Sequence, residues 1–227
     1  MILKQSQNNV FTSKSDVLKF LKKKIKKSSI EPIYSFSILD WQKNKTKILY
    51  TISKKFNKTT IIVRSSAIGE DSDVSSQAGN FDSILNINPN SKINTRKSIQ
   101  KVINSYQKKG NLNKNNQILI QKQTSNISKS GVIFSRVIPN GAPYYVINFE
   151  VGDSTDGVTQ GKINNTVKIF RKTPLARIPK EWKKLIISVK EIEILLKNSS
   201  LDIEFGITKN TIVIFQVRPL VSIPKIN

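Results

Sequence analysis

The stretch LDIEFGITKNTIVIFQVRPL, Leu201 to Leu220, reads as two strands, Leu201 to Ile207 and Thr211 to Val217, closed by a turn at Thr208-Lys209-Asn210. Strand residues two apart share a face. Asp202 and Glu204 therefore point one way, and Gln216 and Arg218 do the same on the return strand. A turn centred on Lys209 sets Asp202 opposite Gln216 and leaves Ile203, Phe205, Ile207, Val213, Phe215 and Val217 for the buried face. Two carboxylates, an amide oxygen and a guanidinium on one surface suit a hard cation and a phosphate. An exposed face carrying a cross-strand ion pair fits the same pattern.

Upstream, helical spacing predicts helices over Ser15 to Lys27, capped by Ser13 or Ser15, then from Leu39 to about Asn57, Lys92 to Lys108 and Glu181 to Lys197. Pro32 to Phe36, Thr60 to Val63 and Ile84 to Ile87 read as strands. So do Gln117 to Gln121, Gly131 to Arg136, Tyr144 to Phe149 and Thr166 to Phe170, which turn signals separate into an antiparallel sheet. The predicted fold class is α+β, with an N-terminal lobe over 1–110, a sheet-rich C-terminal lobe over 111–220 and a tail or linker start over 221–227.

Composition narrows the function classes. There is no cysteine, so disulfides and thiolate metal sites are excluded, and a reducing, cytoplasmic setting is expected. No window approaches the roughly 20 apolar residues of a membrane span. The net charge of +23 raises nucleic acid as a partner. It is nearly all lysine, however, with arginine only at Arg64, Arg96, Arg136, Arg171, Arg177 and Arg218. Stacked recognition of single strands wants arginines and aromatics on one strand face, and the sequence shows no such face. Solvated surface lysine is the expectation, and no specific nucleic-acid partner.

A second cluster lies in IIVRSSAIGEDSDVSSQAGNFDSILN, Ile61 to Asn86, where a buried strand ends at Arg64 and runs into Ser65 and Ser66. An arginine at a strand end beside hydroxyls is a reasonable phosphate clamp. A surface salt bridge from Arg64 to Glu70 or Asp71 is the plainer alternative. Neither a P-loop nor a G-x-G-x-x-G fingerprint is present. VRSSAIGEDSDVSSQAGNFDSILNI resembles the V-R-S-S-A-x-x-E-D signature of the phosphoenolpyruvate synthase and pyruvate phosphate dikinase family. SGVIFSR and LDIEFGITKNTIVIFQVRPL resemble two further motifs of that family, in the right order, so that the likeness spans about Lys14 to Leu220.

The resemblance implies an ATP-grasp-like nucleotide-binding domain, with ATP and Mg2+ as its cofactors. It implies that Arg64 and Arg218 contact the phosphates, and that Glu204 and Gln216 hold Mg2+ with Asp202 beside them. Gln121 would open the segment along the adenine, and Arg136 is a further carry-over. The family's Gly-Gly-Lys segment is degenerate here, Thr12-Ser13-Lys14-Ser15 being the nearest match, so Lys14 becomes the candidate lysine. SKSDVLKFL, Asp40-Trp41 and NGAPYYVINFEVGDSTDGVTQGK are closer to members of the glutamine kinase type, which would place Ser154, Thr155, Asp156, Gly157 and Thr159 at the nucleotide cleft. Such proteins pass phosphate to a carrier histidine, and this chain has no histidine. The expectation is an ATP-binding domain or subunit working with a separate carrier and acceptor, a fragment, or a decayed relative. A regulatory nucleotide-binding module is the alternative.

Overall fold

The computed structural model describes residues 13–68, 71–72, 75–76, 83–152, 165–209 and 211–220. Helix α1, Lys14–Lys22, starts at Ser13, whose side chain accepts from the Asp16 amide, and buries Val17, Leu18 and Leu21. Burying each of these side chains stabilises by on the order of 2 kcal/mol. The sequence reading carried this helix to Lys27. It stops earlier because the Lys26 and Lys27 amides donate to the Glu191 carboxylate, at 3.0 and 2.9 Å, in place of helix carbonyls.

Strand β1, Ile33–Ser37, runs straight into α2, Ile38–Lys55, through a capping box in which Ser37 and Asp40 satisfy each other's backbone amides. Then follow β2, Ile61–Ser66, two short strands β3, Asp71–Ser72, and β4, Ser75–Ser76, and β5, Ser83–Ile87. Helix α3, Lys92–Lys108, precedes β6, Gln117–Lys122, β7, Ile127–Phe134, β8, Tyr144–Val151, and β9, Asn165–Phe170. Helix α4, Lys180–Leu196, leads into the hairpin of β10, Leu201–Thr208, and β11, Ile212–Pro219.

The long strands form two antiparallel sheets, ordered β1-β6-β2-β5 and β11-β10-β7-β8-β9. The expected break at residue 110 does not separate them. β6 sits between β1 and β2 in the first sheet, not beside β7. Its Ile118 and Ile120 join the core under α2 and α3 while Leu119 joins the core of the second sheet, a two-sided burial that suits a central strand. Helix α1 likewise belongs with the later half, its apolar stripe packing with Trp182, Leu185 and Ile203. In the second sheet, a Cβ at Gly131 would lie 2.1 Å from the Asn148 carbonyl oxygen, so β7 and β8 can approach as they do only with glycine there.

Candidate functional site

The β10–β11 hairpin has the expected division of faces, with a different register. Asp202 pairs with Arg218 and Glu204 with Gln216, whereas Phe205 pairs with Ile214, so Phe215 is the extra residue of a β-bulge. The slip relative to the simple turn is two residues at Asp202, which leaves its face unchanged. The bulge does move others. Ile212 and Ile214 join the core under α4, Val213 is buried outside that cluster, and the Phe215 ring lies over Gly206, where a Cβ would meet its Cζ at 2.6 Å.

From the first sheet, Ile61 and Val63 of β2 point into the helix-side core, and Arg64 points across to the hairpin. Its Nη2 donates to Glu204 Oε2 at 3.2 Å and to Gln216 Oε1 at 3.0 Å, and its Nη1 to the Phe215 carbonyl at 3.4 Å. Beside it, Arg218 holds Asp202, with Nε and Nη2 on Oδ2 at 2.7 and 2.5 Å. Burial alone would raise the Glu204 pKa, but Arg64, Lys14 and Arg218 outweigh it and hold the carboxyl below its ordinary range. Asp202 behaves oppositely. Burial dominates over Arg218 and pushes it up to about 6.

Arg64, Asp202, Glu204, Gln216 and Arg218 thus meet in one charged cluster, and Lys14, the first residue of α1, adds its positive charge to the field at Glu204. Gln121 lies on the same face of the first sheet, paired with Ile62 two positions from Arg64. Its side chain is 1% exposed, and neither amide atom has a hydrogen-bond partner. Arg136 is not drawn in. It donates to the Gly141 carbonyl and to Ser199 Oγ, because the chain has left β7 by then. Thr159, with Ser154, Thr155, Asp156 and Gly157, lies outside the described residues. So does the Glu70 side chain, and the observed partner of Arg64 is Glu204. Alternation assigns Phe215 to the buried face, and the bulge that takes it out of the core leaves no mark in the pattern.

At the turn end of the hairpin a cavity of about 530 Å³ opens between the two segments that cross from sheet to sheet. Ser29, Thr124, Ser125, Asn126, Thr208 and Thr211 give it hydroxyl and amide groups, and the Thr124 hydroxyl is buried without a partner. Four steps along β10 take the chain from Glu204 to Thr208, about 13 Å at strand rise.

Residues 40–185, more than half of the chain, match the family described as the pyruvate phosphate dikinase AMP/ATP-binding domain. The chain belongs to that family. Nucleotide binding goes with this membership of the pyruvate phosphate dikinase domain family. The matched region contains Arg64, Gln121 and Arg136 and ends before the hairpin. A comparison with curated proteins finds no match.

Among solved structures, D-alanine-D-alanine ligase from Helicobacter pylori is 11% identical with a TM-score of 0.54, over 92% of this chain and 54% of that one. D-alanyl-alanine synthetase A from Vibrio cholerae is 15% identical with a TM-score of 0.52, over 96% of this chain and 58% of that one. The chain therefore spans little more than half the length of these enzymes. The dinucleotide-forming acetyl-coenzyme A synthetase 1 of Ca. Korarchaeum cryptofilum, in complex with coenzyme A and Ca-AMPCP, is 11% identical with a TM-score of 0.54, over 92% of both chains. These likenesses show the fold, which is ATP-grasp-like and α+β, as the motifs implied. No described helix is long and apolar enough to cross a membrane.

Proposed function

We propose that this pyruvate phosphate dikinase-type domain binds Mg-ATP between its two sheets and prepares the terminal phosphoryl group for transfer to a histidine carried by another domain or chain. The observation that carries the proposal is Arg64 of the first sheet meeting Glu204 and Gln216 of the second. A cation-and-phosphate site needs this mixture of guanidinium and hard oxygen ligands in one place. In this reading Lys14, Arg64 and Arg218 take phosphate oxygens, and the base lies toward the Thr124–Asn126 cavity with Gln121 beneath it.

Among the described residues no three His, Cys, Asp or Glu side chains cluster as a metal site. The oxygen set of Asp202, Glu204 and Gln216 nevertheless fits Mg2+, because Asp202 Oδ1 is buried and has no hydrogen-bond partner. Bound there, Mg2+ would offset phosphate charge. The chain's own groups orient the phosphates and exclude water, and such positioning is most of what phosphoryl transfer asks of a protein. The zero histidine count means the carrier imidazole comes from elsewhere. Glutamine as final acceptor and a cytoplasmic setting are the finer parts of this reading.

Calorimetry tests it: ATP affinity should rise sharply with Mg2+, and equal affinity in excess chelator would sink the site. The purified chain should transfer no phosphate to glutamine or pyruvate until a histidine-bearing partner is added. Normal turnover by the chain alone would exclude the carrier.

A further inference from the structure

Helix α1 is attached to the molecule in two different ways. Val17, Leu18 and Leu21 bury against the second sheet's core, and apolar contact of this kind is not directional. Its first turn is instead hydrogen-bonded to the first sheet. Ser15 Oγ donates to Gln117 Oε1 at 2.5 Å, and the Ser15 amide donates to Ser66 Oγ at 3.0 Å. Gln117 Nε2 donates to Asp16 Oδ2 at 3.3 Å, and Gln117 Oε1 also accepts from Ser35 at 2.9 Å. Ser13, Ser15 and Ser66 are fully buried. The Tyr106 hydroxyl, also buried, accepts from the Ser66 amide and donates to the Gln117 carbonyl, both at 2.7 Å, tying the ends of β2 and β6 to α3. Gln117 and Ser66, which this group fixes, are the partners of Ser15 and Asp16, the residues that follow Lys14.

We propose that Gln117 is a positioning residue, which fixes the first turn of α1 so that Lys14 is held toward the Glu204 cluster. This rests on the nucleotide reading of that cluster. Hydrogen bonds fix distance and direction where apolar packing does not, and a buried network tolerates no slack because an unpaired member is costly. The degenerate lysine segment, lacking the family's two glycines, is thereby placed by side chains and not by its own backbone.

The test is a double-mutant cycle read by Mg-ATP calorimetry on the full chain, with thermal unfolding as the control for folding. Lys14→Ala should weaken Mg-ATP about tenfold or more. Gln117→Leu should weaken it several-fold in the parent protein and not at all in the Lys14→Ala background. Losses that simply add would overturn the positioning role while leaving the nucleotide site standing. No loss from Lys14→Ala would overturn the assignment of Lys14 itself, and the proposal with it. Should Gln117→Leu lower the melting temperature, Ser15→Ala, which removes a single hydroxyl, repeats the cycle with the same expected sign.

Discussion

Among the described residues two arginine–carboxylate clusters are buried, and they are built to different standards. In one, Arg171 grips Glu193 through both nitrogens at 2.6 and 3.0 Å and also donates to the Ser135 carbonyl at 2.8 Å. The ring of Tyr145 lies 4.6 Å from that guanidinium, and its hydroxyl donates to Glu193. Burial and then Glu193 push the Tyr145 hydroxyl pKa up, so it stays a donor. In the other, Arg64 and Arg218 serve Glu204 and Asp202, yet Asp202 Oδ1 and both amide atoms of nearby Gln121 lack hydrogen-bond partners. A saturated network joins α4 to β8 and needs nothing more. An unsaturated one, where residues of the two sheets meet, is suited to receive a ligand.

Arg171→Ala breaks this contrast from the structural side. It leaves Glu193 buried and uncompensated, so unfolding in denaturant should show a loss of about 3 kcal/mol or more, with Mg-ATP affinity unchanged. A nucleotide-binding defect in that variant would mean the two clusters are one system.

From the other side, Arg218→Ala removes a charge-assisted phosphate contact and should weaken ATP binding by on the order of 1.5 to 3 kcal/mol. Its effect on stability should be smaller than that of Arg171→Ala, since Asp202 is already close to accepting a proton. Calorimetry paired with denaturant melts separates the two quantities.

The pH dependence sharpens the comparison further. Asp202 titrates at about 6 in the folded chain against an ordinary 3.8, so the stability it contributes is complete below that ordinary value and is lost as pH rises through 6. The slope is at most about 1.4 kcal/mol per pH unit. Glu204 runs the other way, contributing above its ordinary 4.5 and losing that contribution as pH falls through its lowered value. Asp202→Asn should flatten the decline between pH 4 and 6 while keeping the acid-side loss, as followed by denaturant midpoints. An unchanged profile would place the Asp202 proton elsewhere.

The smallest effect is expected on the basic surface. Exposed Lys97 and Lys101 of α3, changed to Gln, should alter stability by no more than about 0.5 kcal/mol. Duplex DNA should bind weakly and be released at moderate salt, which a salt titration of fluorescence anisotropy reads directly. Tight sequence-specific binding would reverse the reading of the lysines as solvated.

Much of the cluster was legible because a period of two is a reliable guide to strand faces. It puts Asp202 and Glu204 together, and Gln216 with Arg218, as the structure has them. What alternation cannot reveal is the bulge at Phe215, which it assigns to the buried face, or the sheet to which β6 belongs. An Ile-Leu-Ile run between glutamines looks the same in either sheet, and only the cores above and below it decide. The end of α1 was misjudged for a similar reason: KKKIKK has good helical propensity, and the competing acceptor, Glu191, lies some 165 residues away.

Helix α1 also has a meaning for how the chain folds. Val17, Leu18 and Leu21 share a core with residues far along the chain, among them Trp182 and Ile203, as well as with Ile33 and Leu119, while β1 has to wait for β6. During synthesis, then, α1 leaves the ribosome well before the β10 and α4 residues that help to bury it. Contacts of such sequence separation are slow to close, and they leave the two sheets no independent route to completion. The expected consequence is a chain that unfolds in a single step, its first and last elements melting together.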